Sequence, residues 1–110
     1  MIYYEIKVNN SFIHSYKFHL LKLNHSHPNY ASKLATIIRN KFKIIQRFPF
    51  SNQILKLPRD RTIYHKMIID GKYHIIYAIK TKTIHILYFS DGRQSPQTYF
   101  KLLNIFNSLN

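Results

Sequence analysis

Histidine and arginine residues in the second half of the chain carry side chains that could move protons and hold phosphate. His65, His74 and His85 occur within apolar segments, and Arg93 lies in the turn that follows the last of them. Histidine can accept or donate a proton near neutral pH, and the planar fork of arginine can hold two phosphate oxygens at once. A histidine close to Arg93 could therefore perform acid–base chemistry at a phosphate ester.

Three segments of strand length position these residues within the stretch from Thr62 to Phe100. The segments are rich in Ile and Tyr and are separated by Asp70-Gly71 and by Thr81-Lys82, which predicts a three-strand antiparallel meander. Asp-Gly favours a two-residue type I′ turn because both central residues of that turn have positive φ.

The lengths of the two turns predict the register of the meander. A two-residue first turn sets His74 opposite Met67, and a two-residue second turn sets His74 opposite Phe89, close to Arg93. Alternation then predicts a helix-packing face that contains Tyr64, Ile68, Tyr73, Ile75, Tyr77, Ile79, Ile84, Ile86 and Tyr88. The other face is apolar with three histidines, and it contains His65, Met67, His74, Ile76, Ala78, His85, Leu87 and Phe89. Such a face is either covered or used for binding. Lys66 interrupts the helix-packing face, so either its stem extends to solvent or the first hairpin is shifted.

The remaining segments predict one further strand and three helices. Residues 2 to 8 alternate as a strand that joins the sheet, and Ser11 can cap a helix that ends before Pro28. A second helix runs from Pro28 to Arg47, residues 49 to 61 form a connector, and Pro96 can open a C-terminal helix. We therefore expect a single α+β domain over residues 1–110, with an antiparallel sheet packed on two N-terminal helices and followed by a third.

The composition limits the function classes. Lys and Arg number 17 against 4 acidic residues, giving a net charge of +13, which is typical of proteins that bind a polyanion or an acidic partner; solubility is the alternative explanation. So few carboxylates argue against two-metal catalysis and paired-carboxylate hydrolysis. The absence of cysteine excludes thiolate chemistry, and no membrane-spanning or signal-peptide pattern is found, so we expect a cytoplasmic protein.

Several cations could contact phosphate groups. On the second predicted helix, Lys33, Arg39, Lys43 and Arg47 lie opposite the apolar stripe, and no acidic residue offsets them. Arg59, Arg61 and Lys66 add positive charge before and within the meander. The alternative for the helical set is an ordinary solvated face.

The segments GKYHIIYAI and TIHILYFSDGRQSP, followed by a predicted helix, resemble the RelE/ParE superfamily of type II toxin–antitoxin toxins. Members typically carry a Gly-x-Tyr-Arg-Ile-x-Tyr strand, and one large subgroup ends in Asp-Thr-Arg-Gln-x-x-Pro. The resemblance covers the whole order of elements, with its specific motifs in the second half of the chain. It implies a RelE/ParE-like fold.

RelE-like members cut mRNA on the ribosome without metal or cofactor, using basic residues and often a tyrosine. By position, Arg93 matches their arginine after the last strand and Tyr99 matches a tyrosine beyond it, while His74 replaces the strand arginine and His65 and Met67 replace two lysines. From the chemistry of metal-free RNA cleavage and the predicted register, our hypothesis is His74 as base or acid, Arg93 as phosphate clamp, Tyr99 as stacking or proton-transfer residue, and His65 and Lys66 as supporting residues.

Each of these residues also has a structural explanation. Arg93 could pair with Asp91, Tyr99 could pack within a helix, and His74 could be an exposed sheet residue without a role. His65 and His85 could likewise be spectators. A shared metal ion is disfavoured because His74 and His85 lie about four residues apart along the strand direction, on the order of 13 Å.

Two other functions stay open. ParE-like members share the fold but inhibit DNA gyrase without being nucleases, and a basic nucleic-acid-binding module is a third alternative. For either toxin we expect an acidic antitoxin that covers the apolar face through Met67, Ile76, Leu87 and Phe89. Without it, the chain should expose that face or bury it in a homodimer.

Overall fold

The computed structural model describes residues 4–56 and 62–93, which form two helices and a five-strand mixed sheet. The elements are β1 (Glu5–Val8), α1 (Asn10–Ser26), α2 (Pro28–Arg47), β2 (Gln53–Leu55), β3 (Tyr64–Ile69), β4 (Tyr73–Lys80) and β5 (Thr83–Asp91). The sheet order is β1-β5-β4-β3-β2. The predicted α+β class, the two N-terminal helices and the meander are confirmed. The predicted C-terminal helix lies outside the described residues.

Two features of the sheet differ from the prediction. β1 pairs in parallel with β5, from Glu5 opposite Thr83 to Val8 opposite Ile86, so the sheet is not wholly antiparallel. The two helices between β1 and the meander supply the long crossover that a parallel pair requires. In addition, Gln53–Leu55 of the predicted connector forms the short strand β2, which pairs with β3.

The turn between β3 and β4 has the predicted conformation but not the predicted register. Asp70 and Gly71 both have positive φ, of 52° and 65°, and the Lys72 N–H donates to the Ile69 carbonyl oxygen at 3.0 Å. However, Ile69 pairs with Tyr73, so Lys72 is an extra residue before the ladder resumes. This shift of one residue reverses the faces of β3. Lys66 consequently lies off the helix-packing face. Of the two explanations considered for Lys66, the shifted hairpin is therefore correct.

The turn at Thr81-Lys82 is confirmed, with Lys80 paired to Thr83 and Tyr77 paired to Ile86. Farther from this turn, the ladder between β4 and β5 contains a β-bulge. Tyr77 pairs with Ile86 but Ile76 pairs with Tyr88, so Leu87 is the additional residue. Alternation along β5 therefore changes at Leu87, and Phe89 packs on the helix side, contrary to the prediction.

Helix α1 satisfies the backbone groups that the bulge exposes. The Ser11 Oγ donates to the Leu87 carbonyl oxygen at 2.6 Å, and the Phe89 N–H donates to the Ser15 Oγ at 2.9 Å. Ser11 is thus a first-turn residue bound to the sheet, whereas the N-cap position belongs to Asn9. Ser11 and Ser15 lie one helical turn apart, so both reach the same strand.

The main core lies between the helices and the sheet. Phe89 belongs to it, with ring centroids 5.2 Å from Tyr16, 6.0 Å from Phe12 and 5.2 Å from Tyr73. A smaller cluster of buried side chains on the opposite face of the sheet contains Tyr64, Ile76, Ala78 and Leu87. Neither described helix is long and apolar enough to cross a membrane.

Candidate functional site

A pocket of about 480 Å³ lies where the first turn of the meander meets the end of β5. It is lined by Gly71, Lys72, Tyr73, His74, Asp91, Gly92 and Arg93. The extra residue Lys72 joins the two segments, because its carbonyl oxygen accepts a hydrogen bond of 2.5 Å from the Gly92 N–H. The irregular pairing at this end of the sheet therefore builds the pocket.

Gly92 leaves space beside the imidazole of His74. A Cβ atom placed on Gly92 would lie 2.8 Å from the Lys72 carbonyl oxygen and 3.4 Å from the His74 Nε2. The first distance is below van der Waals contact, so no side chain fits without a shift of the backbone. The lack of a side chain at Gly92 thus keeps one nitrogen of His74 next to the pocket.

His74 has the electrostatic properties of a proton acceptor. Burial lowers its pKa below the usual value, the charge of Lys66 lowers it further, and Asp91 opposes these effects. The imidazole is therefore mostly neutral at pH 7. A neutral imidazole has one nitrogen that can accept a proton.

Arg93 and Asp91 form an ion pair at the rim of the pocket. The Arg93 Nη2 and Nε donate to the two carboxylate oxygens of Asp91 at 2.9 and 3.2 Å, and the Arg93 backbone N–H donates to Asp91 as well. These hydrogen bonds lower the pKa of Asp91 to about 2. The Arg93 side chain is 91% exposed, and a guanidinium has more N–H donors than Asp91 occupies, so it could still hold a phosphate oxygen.

His65 does not reach this pocket. It is only 4% exposed and lies on the helix side of β3, where its Nδ1 donates to the Asn52 carbonyl oxygen at 3.1 Å. Its ring stacks on Tyr77 at 5.2 Å between centroids. The shifted register of β3 explains this position, and the contacts indicate that His65 anchors the segment before β2.

Lys66, on the opposite face from His65, is the predicted support residue that lies on the same face as His74. Its charge acts on the imidazole, as described above. Tyr99, Arg59 and Arg61 lie outside the described residues.

The predicted cations of α2 are all at the surface. Lys33, Arg39, Lys43 and Arg47 are exposed, while Leu34, Ile38 and Ile45 of the same helix are buried. The predicted separation of a basic and an apolar side is confirmed. Phosphate contact by these cations stays a prediction.

The predicted antitoxin contacts are not exposed. Met67 and Phe89 belong to the core beneath the helices, because Lys72 and Leu87 shift the register on both sides of β4. Ile76 and Leu87 do lie on the other face, but their exposure is 0% and 1%. These four residues therefore do not form an exposed apolar face, and their contact with an antitoxin stays a prediction.

His19 is a titratable neighbour of the site that the sequence analysis missed. Its ring lies 5.6 Å from Phe89 and 6.1 Å from Tyr73, and burial lowers its pKa while Asp91 opposes the shift. It lies near the apolar stripe of α1 at helical spacing from Phe12 and Tyr16. This helical spacing is the sequence signal that could have placed His19 beside the core.

A second contact joins α2 to the turn beside the pocket. The Tyr30 hydroxyl donates to the Asp70 carboxylate at 2.9 Å, and the Lys72 Nζ lies 5.3 Å from the Tyr30 ring centroid. Burial and the bond to Asp70 raise the pKa of Tyr30 to about 12. Tyr30 therefore stays protonated and holds the turn.

Within residues 4–56 and 62–93, no three His, Asp or Glu side chains converge as a metal site requires. No protein-family model matches the chain, and no curated protein is found to be similar to it. The interpretation of the pocket consequently depends on its own geometry and charge.

Proposed function

We propose that the chain is the toxin of a type II toxin–antitoxin pair, with a RelE/ParE-like fold, and that it cleaves mRNA on the ribosome without metal or cofactor. The observation that carries this proposal is the pocket in which a neutral His74 lies near Lys72 and Arg93. Metal-free RNA cleavage requires a base and cations at one phosphate, and these residue types supply both.

In the proposed reaction, the His74 imidazole takes the proton of a ribose 2′-hydroxyl, and the 2′-oxygen attacks the adjacent phosphorus. Lys72 and Arg93 stabilise the negative charge that develops on the phosphate oxygens. The bond from phosphorus to the 5′-oxygen breaks, the 5′-oxygen takes a proton from water, and the protonated His74 returns its proton to solvent; the products are a 2′,3′-cyclic phosphate and a 5′-hydroxyl. The lowered pKa of His74 favours the role of base over that of acid. Tyr99 stays the predicted stacking or proton-transfer residue.

The proposed partners follow from the charge. A chain with net charge +13 suits ribosomal and messenger RNA, with the exposed cations of α2 as further phosphate contacts, and it also suits an acidic antitoxin. We place this activity in the cytoplasm, where the ribosome is.

A ParE-like inhibitor of DNA gyrase is the second candidate. The observations that favour it are the engagement of Arg93 by Asp91 and the burial of His65 in the core. Together they leave His74 as the one predicted histidine at the pocket among the described residues. A non-enzymatic toxin requires no further acid–base group.

Induced expression in bacteria tests the choice, with His74→Gln compared against the matched control His85→Gln. Burial lowers the pKa of both histidines, and both have lysine neighbours, but His85 does not line the pocket. Translation should stop within minutes, and primer extension should show cut transcripts. His74→Gln should reduce cleavage by about 100-fold or more, the usual contribution of acid–base catalysis, and His85→Gln should have no such effect.

Intact transcripts together with loss of DNA supercoiling activity in a purified gyrase assay would favour the second candidate. Equal cleavage by the wild type and both variants would remove His74 from the mechanism.

A further inference from the structure

An exposed apolar surface lies at the other end of the meander, around β2. The side chains of Phe48, Phe50, Ile54 and Ile63 are between 52% and 64% exposed, and we call this surface the β2 corner. Phe50, Ile54 and Ile63 also line a groove of about 270 Å³ together with His65 and Ile79. Single exposed apolar residues are ordinary, but Phe50, Ile54 and Ile63 line one groove together, and such a grouping indicates a binding surface.

Buried polar contacts hold this surface in place. The Tyr77 hydroxyl donates to the Pro49 carbonyl oxygen at 2.7 Å and accepts a bond of 3.0 Å from the Asn52 Nδ2. His65 binds the Asn52 carbonyl oxygen from the same side. Because the segment from Pro49 to Asn52 is fixed by its inward groups, Phe48 and Phe50 remain at the surface although their burial would be favourable.

We propose that the β2 corner docks an extended, acidic segment of a partner protein, which inserts an apolar side chain into the groove. The charges around the surface specify the acidic character. The Arg47 guanidinium lies 5.5 Å from the Phe48 ring centroid, and Lys56 directly follows β2. Among the described acidic residues, Asp70 and Asp91 are at the far end of the meander, which leaves Glu5 as the acidic residue at this end.

Other occupants fit less well. A second copy would bring two chains of charge +13 together, which opposes association. A lipid surface accepts protruding apolar residues, whereas this site is concave. Drug-sized ligands occupy pockets of roughly 300 to 1,000 Å³, so a groove of about 270 Å³ suits one or two apolar side chains instead.

The inference goes beyond the proposed function, since peptide binding is measured independently of RNA cleavage and either can fail alone. The full chain is used to select binders from a random peptide library displayed on phage, and the enriched peptides are synthesised for fluorescence anisotropy. We expect sequences in which an apolar residue is flanked by Asp or Glu.

Ile54→Glu should weaken their binding by at least about tenfold, as for a residue central to an interface. Ile68→Glu is the matched control, because Ile68 also lies in the sheet and is 51% exposed, against 52% for Ile54. Both substitutions change the net charge by the same amount. The effect of Ile68→Glu should stay within about threefold, and circular dichroism should show both variants folded.

Three outcomes would overturn the inference. The first is the absence of enriched peptides, or peptides that bind Ile54→Glu as tightly as the wild type. The second is binding to phosphatidylglycerol vesicles that depends on Ile54 without any peptide binding. The third is a dimer of the wild type in sedimentation that Ile54→Glu dissociates.

Discussion

The two ends of the meander differ in the regularity of their pairing and in their chemistry. At the Thr81-Lys82 end, residues pair one to one as far as Tyr77 and Ile86, and the surface nearby is apolar. At the Asp70-Gly71 end, Lys72 adds a residue to the turn between β3 and β4, Leu87 interrupts the ladder between β4 and β5, and polar side chains line the pocket. The comparison teaches that extra residues, more than the alternation itself, decide which side chains share a site.

His74 shows this effect most clearly. Two-residue turns without a bulge would place it between Met67 and Phe89, whereas it lies between Ile68 and Ser90. Met67 and Phe89 lie on the helix side instead, while His74 keeps the face away from the main core that alternation predicted. The irregular end of the sheet thus removes two apolar side chains from beside the candidate base.

Deletion of Leu87 would remove one of the two extra residues at the irregular end and should have the largest effect. Leu87→Ala alone should lower the free energy of unfolding by about 2 to 5 kcal/mol, because the side chain is 1% exposed. The deletion should cost roughly a further 1 to 3 kcal/mol, because the hydrogen bonds to Ser11 and Ser15 are strained or lost. Urea unfolding of both variants measures the difference. Equal stability of the two would show that the bulge contributes nothing of its own.

Gly92→Ala should disturb the irregular end alone. The new Cβ would press on the Lys72 carbonyl oxygen, and we expect a loss of about 1 to 3 kcal/mol, typical of overpacking. Gly71→Ala is the control, because a Cβ atom added at Gly71 would have no neighbouring atom within 4 Å. This substitution should add only backbone strain of roughly 1 to 2 kcal/mol. In NMR spectra, the His74 ring signals should move in Gly92→Ala and stay in Gly71→Ala. The reverse pattern would contradict the geometry of the pocket.

Ser15→Ala tests the contact between α1 and the bulge. The Phe89 N–H would lose its acceptor, which should cost about 1 kcal/mol or somewhat more. Ser26→Ala is the matched control, since Ser26 also binds a carbonyl oxygen one turn back in α1 but lies at the surface. Denaturant midpoints should fall for Ser15→Ala only. A similar shift for both variants would indicate a general helix effect.

The smallest expected effect is a pH dependence of stability. Burial lowers the pKa of His19, His74 and His85, so the unfolded chain binds protons more readily than the folded one. Stability should therefore be complete above about pH 6.5 and decrease as the pH falls through the lowered values. Melting temperatures between pH 7.5 and 5 measure this, and the triple Gln variant should show a flatter curve. A slope of opposite sign would contradict the three shifts.

The sequence correctly predicted the features that follow from regular spacing along the chain. The stripe of α2 that includes Leu34 and Ile38 and the turn at Thr81-Lys82 are examples, and His74 was correctly associated with the strand end that leads to Arg93. Periodicity could not reveal Lys72 and Leu87 as extra residues, since each is compatible with continued alternation. It also missed β2, which is too short to show a pattern. The site residues that were misplaced, His65 among them, are those whose face depends on these irregularities.

The serine contacts of the bulge carry a consequence for assembly. Ser11 and Leu87 are separated by 76 positions, and Ser15 and Phe89 by 74. A fragment containing only the three meander strands would lack both serines, and with them the two hydrogen bonds that favour the extra residue at Leu87. We therefore expect the alignment of β4 and β5 near the pocket to become final only after α1 has packed on β5, so that distant parts of the polypeptide must meet first.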